Sequence, residues 1–341
     1  MRIGFNPNKD NAIVENNYFH QIVIPIYLPN FEGYFKDSFS ILKYSLNSLF
    51  ANSHNKTFIT IVNNGSCDEV VLFLNDLLHK KKINELITVH NIGKINAIIK
   101  GISGHNFQLI TVADADVMFL KDWQKETYHV FTHFTKAGLV GLVPNSKMVK
   151  HLTANVIFDN YFSKKLKFTK VENPNSMQKF GISVGNENYF KDIHLQKYLT
   201  LESNNFKAVI GSGHFVATYR GDIFRKLPFQ STAFALGGDS ENLLLDYPVV
   251  KNGHWRLTTA NNYAFHMGNT NEKWMVDLNA VNESTEMMKF QLEAPFLQPN
   301  STNYFINLFK NKLFYRINYQ KNIWKLFLQL KGLTKTEAQQ Y

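Results

Sequence analysis

Short apolar runs alternate with longer amphipathic stretches from Gln21 to Val143, and that rhythm constrains the fold more than any other feature of the chain. Such runs read as buried strands, and the stretches between them as the crossover helices of an α/β sheet. Residues 21–28 (QIVIPIYL) give the first strand, closed by Pro29 and Asn30. Residues 35–50 follow as a helix, with Phe39, Leu42, Leu46, Leu49 and Phe50 at helical spacing. The cycle repeats with a strand at 57–62, a turn at 63–66, a helix over 68–81, a short strand at 86–90 and a helix at 94–102. Residues 107–113 (FQLITVA) then form a strand that runs directly into Asp114-Ala115-Asp116, and 139–143 a further strand stopped by Pro144-Asn145.

Beyond this the rhythm fades. Residues 145–205 hold many Asn, Lys, Tyr and Phe with no sustained period, which predicts irregular structure. Patterning returns at 208–219 as one strand-like segment and at 222–227 as a short helix. Gly237-Gly238-Asp239 opens a helix carrying Leu243, Leu244 and Leu245, and 255–266 reads as a last strand. Residues 302–330 are expected to form a helical tail with Phe305, Leu308, Phe309, Leu313 and Ile317 on one face.

Composition excludes several classes. With 341 residues, 44% of them hydrophobic, the chain has material for a real core, so disorder is a poor reading. Cys67 is the single cysteine, which rules out an intramolecular disulfide and leaves no Cys/His spacing for zinc. Residues 1–20 resemble neither a signal nor a transit peptide, and no run of about 18 apolar residues occurs. A cytoplasmic protein, soluble or peripheral on the inner face of a membrane, is expected.

The net charge of +10 is unevenly placed. No acid occurs between Glu293 and Glu337, whereas Lys310, Lys312, Arg316, Lys321, Lys325, Lys331 and Lys335 all fall there. A cationic, apolar tail of this kind suits an anionic membrane surface or a partner, or packs on its own domain with its charges in water. The same charge fits a nucleic-acid-binding protein, but no zinc-finger or RNP-like pattern accompanies it, so no nucleic-acid partner is expected.

The chemistry concentrates at Asp114 and Asp116. In an open α/β sheet ligands bind at the carboxyl ends of strands, and two carboxylates there can present oxygens to a divalent cation that neutralises a diphosphate. Asp-x-Asp also arises by chance, as a solvated turn or a helix cap. Its neighbours decide. Residues 57–68 (TFITIVNNGSCD), 91–101 (NIGKINAIIKG), the acidic pair, 237–241 (GGDSE) and 265–269 (FHMGN) come in an order that resembles the GT-A glycosyltransferases, particularly the inverting enzymes of family 2.

That resemblance covers roughly residues 20–270. It implies a GT-A fold, a Rossmann-like mixed, mostly parallel sheet flanked by helices, followed here by the helical tail. It divides the chain into an N-terminal extension (1–20), a nucleotide-sugar-binding half (21–144), an acceptor-binding and catalytic half (145–270) and a basic helical region (271–341). It implies transfer of a sugar from a nucleoside-diphosphate sugar, a UDP- or GDP-sugar, to a glycan or lipid-linked acceptor.

The resemblance also assigns residues. Pro25 and Tyr27 end the first strand beside the donor. Asn63 and Asn64 stand where the family usually has a base-reading acid, although an ordinary turn before Gly65 explains them equally. Lys94 falls at a donor-contacting position, or is solvated surface at a helix start. His266 matches a histidine that completes the metal site with Asp116 and Asp114, or is a core histidine; imidazole among carboxylates favours Mn²⁺ over Mg²⁺. Asp239 matches the catalytic base, with Glu241 its rival and helix capping the plain alternative.

Gly211-Ser212-Gly213 is no dinucleotide fingerprint, because Val216 stands at the third glycine position. The other enzymatic reading, a sugar-phosphate nucleotidyltransferase, expects a Gly-rich basic loop after the first strand, and 26–33 (IYLPNFEG) lacks one.

Overall fold

The computed structural model describes residues 4–6, 9–11, 17–225, 231–284, 292–299 and 302–341. Lys226 and Leu227, the end of the helix expected at 222–227, lie outside the described residues, as does much of the N-terminal extension.

The alternation in the first half gives β1 (His20–Ile26), β2 (Thr57–Asn64), β3 (Glu85–Val89) and β4 (Leu109–Ala113), joined through α1 (Ser38–Asn52), α2 (Asp68–His79) and α3 (Lys94–Ile102). β5 (Val117–Phe119), α4 (Trp123–His133) and β6 (Ala137–Gly141) follow. Because both faces of β1 are covered, its successive residues serve two cores. Ile22, Ile24 and Ile26 pack with Leu42, Leu46 and Leu49 of α1, while Val23 packs with Val62, Ile95 and Ile98.

Residues 145–205 are not irregular. They hold helices at Ala154–Asp159 and Pro174–Ser183 and the strands β7 (Leu166–Lys170) and β8 (Lys197–Ser203). β8 pairs with β9 (Phe206–Ile210) across Asn204 and Asn205, both at positive φ, the backbone a tight hairpin requires. Asparagines that look like loop composition are thus turn residues.

The segment 208–219 is two strands, β9 and β10 (Val216–Arg220), with 211–215 looping between them. The expected last strand is likewise two. β11 (Trp255–Thr259) lies in the main sheet, and β12 (Ala264–His266) pairs antiparallel with β5 in a separate ribbon.

The ten-stranded sheet has the order β3-β2-β1-β4-β10-β6-β11-β9-β8-β7, and only β10, β9 and β7 run against the rest. It is a mixed, mostly parallel sheet flanked by helices, drawing strands from both halves of the chain.

The tail is not one continuous helix. It breaks into Tyr304–Leu308, a π-helical stretch at Phe309–Phe314, Tyr315–Asn318, Lys321–Leu330 and Lys335–Gln340. Trp324, Phe327 and Leu328 are buried with β8, β9 and β11 residues in one core cluster, so this part packs on its own domain. Phe305, Leu308, Phe309, Leu313 and Ile317, expected on one face of the tail, are exposed. Among the described residues no helix is long and apolar enough to cross a membrane.

Candidate active site

The carboxyl ends of β1, β2 and β4 open on a cleft of about 430 Å³ whose lining includes Pro25, Tyr27, Asn64, Lys94, Asp114 and Asp116. Tyr27 leaves the end of β1 half-exposed and meets Phe35 edge-on at 6.1 Å, beside Tyr34. Tyr34 and Phe35 escape the sequence reading because nothing in 26–33 marks the following turn as part of a site.

The two asparagines part company. Asn63 is buried and its Oδ1 accepts from the Ser66 N–H at 3.0 Å, so it forms the turn and does not line the cleft. Asn64 does line it, accepting from the Ile92 N–H at 2.9 Å and donating to Asn91 Oδ1 at 3.2 Å.

Lys94 opens α3, directly after Gly93 at φ +89°. A Cβ on Gly93 would sit 2.8 Å from the Phe234 carbonyl oxygen, so only glycine lets the 234–235 backbone approach closely enough for the Lys94 N–H to donate to Ala235 O at 2.9 Å. The Lys94 ammonium lies 2.6 Å from Asp114 Oδ1 and 2.7 Å from Glu241 Oε1. Burial alone would lower its pKa, but the two carboxylates outweigh burial and raise it well above the ordinary lysine value.

From Glu241 the charges continue in alternation. His214 Nε2 is 3.2 Å from Glu241 Oε2 and its Nδ1 3.2 Å from Asp246 Oδ2, while Arg256 contacts Asp246 Oδ1 at 2.9 Å. Hydrogen bonding to His214, opposed by burial and helped by Lys94, lowers the Glu241 carboxyl to about 2. For His214, burial is the largest influence and acts downward, yet its bonds to Asp246 and Glu241 together lift it to about 9. Asp246 is fully buried; burial would raise its pKa, but Arg256, His151 and His214 hold it well below the carboxylate range.

Asp239 stands apart from this row. Gly237, Gly238 and Asp239 all have positive φ and form the turn that opens a helix at Ser240, where the Leu243 N–H donates to Asp239 O at 3.0 Å; its residues Asn242–Asp246 are π-helical. Asp239 is exposed, and Asn242 Nδ2 donates to its Oδ2 at 3.3 Å. Glu241 is the member of the pair that reaches the cleft charges.

Asp116 follows β4, and the pairing of β12 with β5 sets His266 opposite Val117, one residue on. The Met267 N–H donates to Asp116 O at 2.8 Å, and His266 Nε2 lies 3.4 Å from Asp116 Oδ2. His266 Nδ1 is fixed by Ser183 Oγ at 3.0 Å, which leaves Nε2 as the inward nitrogen. Burial raises the Asp116 carboxyl above its ordinary value, and the neighbouring imidazole opposes that. An oxygen and a nitrogen donor converging at a cleft wall fit a divalent cation. Asp114, expected as a third ligand, is engaged by Lys94, and among the described residues no group of three His, Cys, Asp or Glu side chains is gathered for a metal.

His214, Asp246 and Arg256 are absent from the sequence reading. His214 follows Gly211-Ser212-Gly213, whose glycines and histidine are the signal that was available; Asp246 and Arg256 are buried charges that no local pattern reveals.

Residues 22–193, half of the chain, match the profile of glycosyl transferase family 2. No curated protein matches. Among solved structures the chain is similar to S. aureus TarS, at 12% identity over 79% of this chain and 40% of that one, with a TM-score of 0.41. It is similar to TarS 1–349 in complex with UDP-GlcNAc, at 12% identity, 92% and 81% coverage and a TM-score of 0.43. It is also similar to the mannosyltransferase PcManGT from Pyrobaculum calidifontis in complex with GDP-Man and Mn²⁺, at 10% identity, 94% and 73% coverage and a TM-score of 0.43. With its parallel strands ending on a cleft of paired carboxylates and cations, the chain belongs to glycosyl transferase family 2 and is a glycosyltransferase.

Proposed function

We propose that the chain transfers a sugar from a UDP- or GDP-sugar to a hydroxyl of a glycan or lipid-linked acceptor, inverting the anomeric configuration. The observation that carries this reading is the meeting, around one cleft, of a partly buried carboxylate held between Lys94 and His214, Glu241, and a separate carboxylate–imidazole pair, Asp116 and His266. Residues 21–144 hold the donor, with Pro25, Tyr27 and Asn64 along its nucleoside side and Lys94 near the phosphates; residues 145–270 supply the acceptor side. Glu241 is the general base and takes the place first expected for Asp239. The acceptor oxygen bonds to the anomeric carbon as the bond to the diphosphate oxygen breaks. The electron pair leaves with the nucleoside diphosphate, and Glu241 receives the hydroxyl proton. That proton becomes strongly acidic only as the new bond forms, so a carboxylate of low pKa suffices.

Asp116 and His266 would hold a divalent cation, Mn²⁺ or Mg²⁺, which when bound supplies charge neutralisation for the departing diphosphate. Thermal shift with UDP, GDP and their sugars tests this. Stabilisation is expected only with Mn²⁺ or Mg²⁺, by about 2.7 kcal/mol at a hundredfold excess over Kd, and Asp116→Ala should abolish it without lowering the ligand-free Tm. Nucleotide binding indifferent to EDTA would reject the metal.

The tail presents one exposed face to solvent. Tyr304, Phe305, Ile306, Phe309, Leu313 and Ile317 are exposed beside the exposed cations Lys312, Arg316 and Lys321, in a stretch without a single acid. This face suits an anionic lipid surface, where acceptors carried on lipid would be met.

A further inference from the structure

We propose that His214 is a positioning residue that fixes the Glu241 carboxylate for proton transfer and is itself anchored by Asp246 and Arg256. The inference rests on Glu241 being the base.

Both ring nitrogens of His214 lie 3.2 Å from carboxylate oxygens, Nδ1 from Asp246 and Nε2 from Glu241. Ionised carboxylates only accept, so both nitrogens donate only if the ring is an imidazolium. Asp246 is fully buried and paired to the equally buried Arg256, which fixes it as the anionic end of the row. Arg256 also donates to Ser212 O at 2.7 Å, and Thr258 Oγ1 to Gly211 O at 2.7 Å, so β11 holds the loop that carries His214. The β11 register shifts between Trp255 and Arg256, an irregularity of the kind that re-aims a side chain beside a site.

Glu241 sits just before the π-helical turn and Asp246 ends it, so His214 spans that turn. Among the described residues, the ion pair left to Glu241 without His214 is the one with Lys94, whose side chain is long and rotatable. The charged and titratable groups around the ring are Glu241, Asp246 and Arg256. His151 stands 3.5 Å from Asp246, Tyr219 lies on β10, and Lys94 with Asp114 lies beyond Glu241. Their balance favours the cation through neutral pH.

Two measurements test this. By nitrogen-15 NMR of the ring, His214 should stay an imidazolium at pH 7 and lose its proton only near pH 9, and at lower pH in Glu241→Gln; a ring neutral at pH 7 overturns the proposal. In nucleoside-diphosphate release with UDP-GlcNAc and GDP-mannose as probe donors, His214→Ala should lower kcat about tenfold to a hundredfold with the donor KM little changed. His214→Gln, which can still donate to Glu241 without charge, should recover much of that loss and lack the wild-type fall in rate above pH 9. Should His214→Ala fail to fold, His214→Gln alone carries the comparison. A slow Glu241→Gln with an unaltered His214→Gln rate and pH profile rejects this role only. A Glu241→Gln that turns over normally rejects the base assignment beneath it.

Discussion

Two positions apart, Asp239 and Glu241 differ in surroundings more than in chemistry. One is an exposed turn carboxylate, the other is partly buried and tied to Lys94 and His214. A general base must be held within hydrogen-bond reach of the acceptor hydroxyl, so Glu241→Gln is expected to cut turnover by about 10² to 10⁴ with donor affinity nearly intact. Asp239→Asn should turn over normally, and the reverse pair of results returns the role to Asp239. Stability against pH follows from the same residues. His214, raised to about 9, contributes fully below its ordinary 6.5, and that contribution is lost as pH rises through 9. Glu241, lowered to about 2, contributes above its ordinary 4.5 and loses this as pH falls through 2. His54, bonded to Tyr128 in the core and lowered by burial to about 4, favours folding above 6.5 and loses that toward pH 4. The Tm is therefore expected to peak near pH 6.5, with the alkaline decline shallower in His214→Gln.

At the scale of elements, the site depends on segments packed across the mouth of the sheet. α3 carries Lys94, and its first turn is stitched to 232–235: Asn96 Nδ2 donates to Thr232 O at 2.8 Å, and the Thr232 N–H donates back to Asn96 Oδ1 at 2.9 Å. Ala235 and Leu236 then line the cleft. Gly93→Ala would place a methyl against the Phe234 carbonyl at a left-handed φ, so it should cost about 1–3 kcal/mol in urea unfolding. It should also weaken nucleoside-diphosphate binding, because Ala235 and Leu236 must shift. Unchanged stability would show that the stitch contributes nothing.

For the whole molecule, the two ends of the tail differ: one packs in the core, and the other carries the exposed apolar and cationic face proposed to meet lipid. Trp324, Phe327 and Leu328 complete a core cluster, so removing the tail would open the domain and is a poor test of any surface. Point changes on the exposed face separate the two. Co-sedimentation with phosphatidylcholine vesicles is expected only when phosphatidylserine is included. Lys312→Gln with Arg316→Gln should weaken it roughly thirtyfold, about 1 kcal/mol per charge, and Phe305→Ser with Phe309→Ser should abolish it. Binding that ignores anionic lipid would reject a membrane role for this face.

Sequence alone determined the first half. β1, β2, β4 and α3 follow from local periodicity, since a strand or helix buried by its own pattern needs no distant partner to be recognised, and Asp114 and Asp116 are legible because they close such a strand. The neighbours of those carboxylates were decided only by tertiary structure. Register brings His266 to Asp116, and glycine geometry together with sheet order brings Lys94 to Glu241. The ten-strand order gathers His214, Asp246 and Arg256 into one row. A buried charge is stable only beside its counter-charge, and here each partner is supplied by a different element, so local periodicity does not reveal the pair.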